Sequence, residues 1–161
     1  MVAPVQRRID YYHDPDAPPA NSIVVAVTAF VLDEAGRLLV IRRTDNDLYA
    51  VPGGAQEIGE TISHTVVREV HEETGITVRV TGLIGVYSDP AHVIAFSDGE
   101  VRQEFSLCFR ARPIAGRLRT SSESKEVLWV KPAGLNDLNI HPSIRLRIQH
   151  GYEHRIEPFY A

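Results

Sequence analysis

The stretch "GGAQEIGETISHTVVREVHEETGI", residues 53–76, limits the fold of this chain more than any other. Thr61 is placed to cap a helix and Gly75 to end it in the left-handed conformation, so the spacing predicts a helix over 62–74. At roughly 100° per residue, Ile62, Val66, Val67 and Val70 share one arc, which must bury. Glu69, Glu72 and Glu73 occupy the neighbouring arc, because 69/72 and 69/73 are i,i+3 and i,i+4 pairs. Like charge therefore runs along the margin of the helix's own buried face. Each such pair costs about 0.2–0.5 kcal/mol even in water. A hard divalent cation relieves that repulsion and prefers carboxylate oxygens. A solvated acidic face explains the same pattern without an ion. Two neighbours favour the cation: Pro52-Gly53-Gly54 allows close backbone approach where a β-carbon would obstruct it, and Arg68 can orient a carboxylate of Glu69 or Glu72 without displacing an ion.

The rest of the chain supplies strands. "SIVVAVTAFVLD" (22–33) is apolar on both faces, as a buried strand is, and "RLLVIRR" (37–43) is a second. Further strands are expected at 76–88, 92–97, 100–112 and 126–130, with an Asp98-Gly99 hairpin turn, a long polar loop at 113–125 and a helix at 141–151 opened by Pro142. Strands on both sides of one helix, with a second helix near the end, predict an α/β protein: a mixed β-sheet between helices. No linker divides residues 22–161, which read as one domain, and residues 1–21 read as an extended arm. The tyrosines and prolines of that arm suggest a homodimer in which it packs on a second copy.

The pattern Gly54, Glu60, Arg68-Glu69-Val70, Glu72-Glu73, Gly75-Ile76 resembles a complete Nudix box, G-x5-E-x7-R-E-U-x-E-E-x-G-U with U a bulky aliphatic residue. The resemblance implies the Nudix α/β/α sandwich and hydrolysis of a diphosphate linkage in a nucleoside diphosphate derivative by water attack on phosphorus. It implies Mg2+, or Mn2+, as cofactor. Glu69, Glu72 and Glu73 then become metal ligands, with the Gly53 carbonyl beside them, while Glu60 and Arg68 organise the box. A proline after the box, Pro90, resembles a marker of the ADP-ribose-cleaving subgroup, so ADP-ribose or a nucleotide sugar is favoured, with nucleoside triphosphates as a further option. Neutralising an anionic diphosphate before nucleophilic attack is the chemical need that such a site meets.

A carboxylate from outside the box is also expected, to act on water. Glu123, in the loop before Trp129, is preferred to Glu104 on its apolar strand, because a loop residue can close on substrate. Arg42 and Arg43 end a strand next to the glycines, and adjacent strand residues face opposite sides, so at most one reaches a diphosphate. Tyr87 is a candidate for stacking on a base, although core packing is the stronger explanation for it taken alone. Cys108 lies in an apolar strand and reads as core. Two other functions stay open: a non-catalytic Nudix-like module that binds a nucleotide, and a Nudix-fold isoprenoid diphosphate isomerase with a catalytic cysteine. "HEETG" (71–75) lacks the second histidine of H-E-x-x-H, and no P-loop or dinucleotide-binding loop is present. The net charge of −4 disfavours nucleic acid, no apolar run is long enough to span a membrane, and a single cysteine with no signal-like leader suggests a cytoplasmic protein.

Overall fold

The apolar run 22–33 becomes the centre of the molecule in a computed structural model that describes residues 7–161. Strand β3 (Ala26–Val31) buries both faces because each meets a helix. Val27, Ala29 and Val31 pack with Val66 and Val70 of α1 (Ile62–Thr74), whereas Phe30 packs with Ile148 of α2 (Pro142–Glu153). Burying each such side chain contributes about 1.5–3 kcal/mol.

The central sheet also contains β6 (Gly53–Ala55), β7 (Ile76–Tyr87), β10 (Ser106–Gly116) and β12 (Phe159–Tyr160), in the order β12-β7-β10-β3-β6. β3 pairs parallel with β10 and antiparallel with β6, so the sheet is mixed, as expected. A three-stranded sheet joins β11 (Ser124–Val130), β4 (Leu38–Arg43) and β5 (Tyr49–Ala50). A four-stranded sheet has the order β1 (Arg8–Tyr12), β8 (His92–Phe96), β9 (Val101–Gln103), β2 (Ser22–Ile23).

Several boundaries differ from the expectation. The single strand predicted at 100–112 is two strands, because the chain changes sheets between them. The Glu104 amide donates to the His92 carbonyl on one side, and the Phe105 carbonyl accepts from Ala26 on the other. The loop expected at 113–125 shrinks to 117–123, since β10 continues along β7 to Gly116. The arm is partly folded onto its own chain: Arg8–Tyr12 pairs antiparallel with β8, from Arg8 opposite Phe96 to Tyr12 opposite His92. Residues 1–6 of the arm lie outside the described residues. The short 3-10 helix at Pro132–Asp137 and β12 had no periodic signal to announce them.

Candidate functional site

Thr61 accepts from the His64 amide at the start of α1, and Gly75 ends it at φ 80°. With those ends fixed, Glu69 and Glu73 project from the buried margin toward β6, at 8% and 2% exposure. The Gly53 amide donates to Glu73 Oε1 at 2.9 Å, so Gly53 meets the acids through its N–H. A β-carbon on Gly54 would stand 2.4 Å from the Glu69 carboxylate. Gly54, within strand β6, is therefore a clearance for the Glu69 carboxylate.

Arg68 organises the helix side. Its Nε donates to Glu60 Oε2 at 2.7 Å and its Nη2 to Glu60 Oε1 at 2.9 Å, while Nη1 reaches Glu69 Oε1 at 2.9 Å and Glu72 Oε2 at 3.2 Å. The Arg68 hydrogen bonds hold the Glu60 carboxyl down at about 2. Burial acts the other way on the two inner acids. It pushes Glu69 up to about 7, against Arg68, and Glu73 up to about 8, against the Gly53 amide and Arg43.

The third acid comes from the segment before β11. Glu69, Glu73 and Glu123 each offer a carboxylate oxygen, and these lie within 4.8 Å of one another. Ser121 Oγ accepts from the amides of Glu123 and Ser124, and the Ser124 hydroxyl donates to the Glu73 carbonyl. The backbone at Glu123 is thus tied, through Ser121 and Ser124, to the C-terminal turn of α1, while its side chain is exposed. Glu72 is not brought into this trio. It is exposed and stays on Arg68.

Two members of the trio, Glu73 and Glu123, line a cavity of about 580 Å³ together with Gly53 and Gly54. Arg43 lines it, held by Asp45 at 2.6 Å, whereas Arg42 turns away to Asp47 and Glu126. Glu104 stands on another part of the wall, with its carboxylate 3.8 Å from His92 Nδ1. Tyr87 does not line the cavity. Its hydroxyl bonds His150 Nδ1 at 2.8 Å and its ring stacks on Phe159, because the β7–β10 pairing turns it into the core under α2. Cys108 is fully buried, and burial pushes its thiol up.

The sequence reading missed the wall that β1 and β8 supply. Arg8, Asp10, Ile94 and Phe96 face the cavity, as does Arg147 from α2. Alternation along "RIDYY" could have signalled the two faces of β1, but nothing local tells which face meets the cavity.

The sequence model of the NUDIX domain matches residues 23–149. The chain belongs to the Nudix family. Among Nudix relatives it is 45% identical over 116 residues to a MutT-like protein of Streptomyces ambofaciens, spanning 72% of this chain and 68% of the relative. It is 34% identical over 122 residues to an ADP-ribose pyrophosphatase of Methanocaldococcus jannaschii, spanning 71% of this chain but only 62% of that protein. The fold is similar to that of a Nudix hydrolase from Nitrosomonas europaea, with TM-score 0.69, 19% identity, and 85% and 93% of the two chains covered. It is also similar to a UDP-X diphosphatase, with TM-score 0.66, 19% identity, and 91% and 70% covered. Identities this low speak to the fold alone.

Nudix hydrolases generally use divalent metal ions, and the residues present suit one. The donors are three carboxylates, the hard ligands that Mg2+ or Mn2+ takes. Glu69 and Glu73 each spend Oε1 on a hydrogen bond and leave Oε2 without a hydrogen-bond partner among the described residues.

Proposed function

We propose that this protein hydrolyses a diphosphate linkage in a nucleoside diphosphate derivative, with ADP-ribose or a nucleotide sugar favoured, by attack of water on phosphorus. The observation that carries the reading is the convergence of Glu69, Glu73 and Glu123 at the end of a cavity large enough for such a ligand. Glu69, Glu73 and Glu123 would hold Mg2+ or Mn2+, which supplies positive charge against the phosphate oxygens. Glu60 and Arg68 fix the Glu69 carboxylate and leave its second oxygen free. Glu123, the exposed member, takes the proton of the attacking water, since an exposed carboxylate can exchange that proton with solvent afterwards. Arg43 receives phosphate oxygens from the cavity side. The name of the archaeal relative supports the ADP-ribose reading, and nucleoside triphosphates are the second option.

An isomerase built on a catalytic cysteine is disfavoured by Cys108, which is sealed in the core and does not line the cavity. A nucleotide-binding module without chemistry has no use for three acids brought together against their own repulsion. The deciding assay scores kcat/KM with Mg2+ across ADP-ribose, UDP-glucose, nucleoside triphosphates and dinucleotides. Preference of about tenfold or more for one of the first two is expected. Absence of turnover across the panel would overturn the proposal.

A further inference from the structure

Four arginines line the cavity, and three are matched by a carboxylate: Arg8 by Asp10, Arg43 by Asp45 and Arg102 by Glu100. The fourth, Arg147, is 2% exposed and forms no ion pair with any described residue. Its Nη1 donates to the Ser143 carbonyl at 2.8 Å, and its Nε has no partner among the described residues. The Ser143 bond does not account for the arginine, because in a helix that carbonyl already accepts from the amide four residues on.

Ser106 repeats the pattern. It also lines the cavity at 2% exposure, with its hydroxyl unpartnered. Ser106 sits directly opposite Tyr87 in the β10–β7 pairing, and opposed residues share a face of the sheet. The Arg147 guanidinium lies 4.5 Å from the centre of the Tyr87 ring, so arginine and serine stand on the same face. Glu104, the carboxylate on the neighbouring wall, is within ion-pair reach of His92 and not of Arg147.

A buried charge without a counter-ion is unfavourable, and so is a buried hydroxyl without a partner. A neutral nucleobase edge would satisfy the hydrogen bonds and leave the charge unbalanced. An oxyanion satisfies both, and a guanidinium offers it a two-pronged donor. We infer that Arg147 and Ser106 form an anion subsite that receives a phosphate monoester or carboxylate carried by the substrate apart from its scissile diphosphate. This rests on the hydrolase reading for the acid end of the cavity. It adds that the preferred nucleotide derivative bears a further negative group.

Two substrate pairs separate the sources of that charge. UDP-glucuronate against UDP-glucose tests a carboxylate, and ADP-ribose 2′-phosphate against ADP-ribose tests a phosphate monoester. With Mg2+, wild-type protein is expected to prefer the anionic member of at least one pair by about tenfold or more in kcat/KM. In Arg147→Met that ratio should fall to within about threefold of one, and Arg147→Lys should restore part of it. Calorimetric titration of the same four nucleotides without metal reads the subsite independently of turnover. If none of the four is hydrolysed, the hydrolase reading fails for them, and the titration still decides the subsite. Equal affinity for both members of both pairs, or a preference that survives Arg147→Met, would overturn the inference. Should Arg147→Met not fold, Ser106→Ala decides: it is expected to cut the preference about threefold, and an unchanged preference overturns the subsite.

Discussion

Glu73 stands at 2% exposure with its carboxyl pushed up to about 8 by burial, a position that wants either a proton or a cation. Glu73→Gln keeps the shape and the acceptor for the Gly53 amide while removing the charge. Its kcat at saturating Mg2+ should fall about 10²-fold or more, the scale of a lost electrostatic contact in the transition state, with the far-UV spectrum unchanged. Wild-type turnover would rule out Glu73 as a ligand. Titration supplies a second expectation. Glu69 at about 7 and Glu73 at about 8 both stand above the ordinary 4.5, so between those limits the folded chain binds more protons than the unfolded one. Stability of the metal-free protein should therefore fall as pH rises through that window. Glu60, held at about 2, has the opposite sign and loses its contribution only as pH falls below the ordinary 4.5 toward 2. Melting curves at about pH 5 and about pH 8 check this, and Mg2+ should raise Tm more at the higher pH. Glu123 and Glu104 are separated by kinetics. Glu123→Gln should lower kcat about 10²-fold and Glu104→Gln less than about tenfold, on the scale of a lost general base; the reverse order would move the base to the other wall.

Among the elements, α1 was legible because its caps, its apolar arc and its acidic arc all follow from one backbone period. β6 was not. Its three residues pair with β3 only because Gly53 and Gly54 let two strands and a helix approach closely. A β-carbon on Gly53 would lie 2.1 Å from the Val27 carbonyl, which is backbone and cannot swing aside. Gly53→Ala should destabilise by about 1–3 kcal/mol, as overpacking does, and lower activity by shifting the Glu73 contact. Chemical denaturation with parallel kcat measurement tests both, and an unchanged midpoint would contradict the clearance argument. The break at Glu104–Phe105 escaped a pattern reading for a related reason. Alternation persists through "EVRQEFSLCF", and only the partners on either side reveal that the strand changes sheets.

The whole molecule brings the N-terminal strand, both helices and three sheets around one cavity. β1 presents Arg8 and Asp10 inward and Ile9 outward, and Ile9 and Ile23 stand 54% and 63% exposed on the outer side of the same small sheet. The homodimer expected from the arm, in which it packs on a second copy, is a prediction that mass decides, with exposed Ile9 as the residue to alter. Light scattering should give a mass of two chains, and Ile9→Lys should halve it; a single-chain mass for the unaltered protein would remove the dimer. Sequence alone determined the box, the capped helix and the acids at its buried margin, because i,i+3 and i,i+4 geometry is set by the backbone. It also showed that Arg42 and Arg43 must part company, because adjacent strand residues face opposite sides. Tertiary structure decided which of them reaches the cavity, that Glu123 joins Glu69 and Glu73 while Glu72 does not, that Tyr87 is core, and that Arg147 lies buried without a counter-ion among the described residues. Those outcomes depend on strand register and helix docking between residues far apart in the chain, where no local period carries the information.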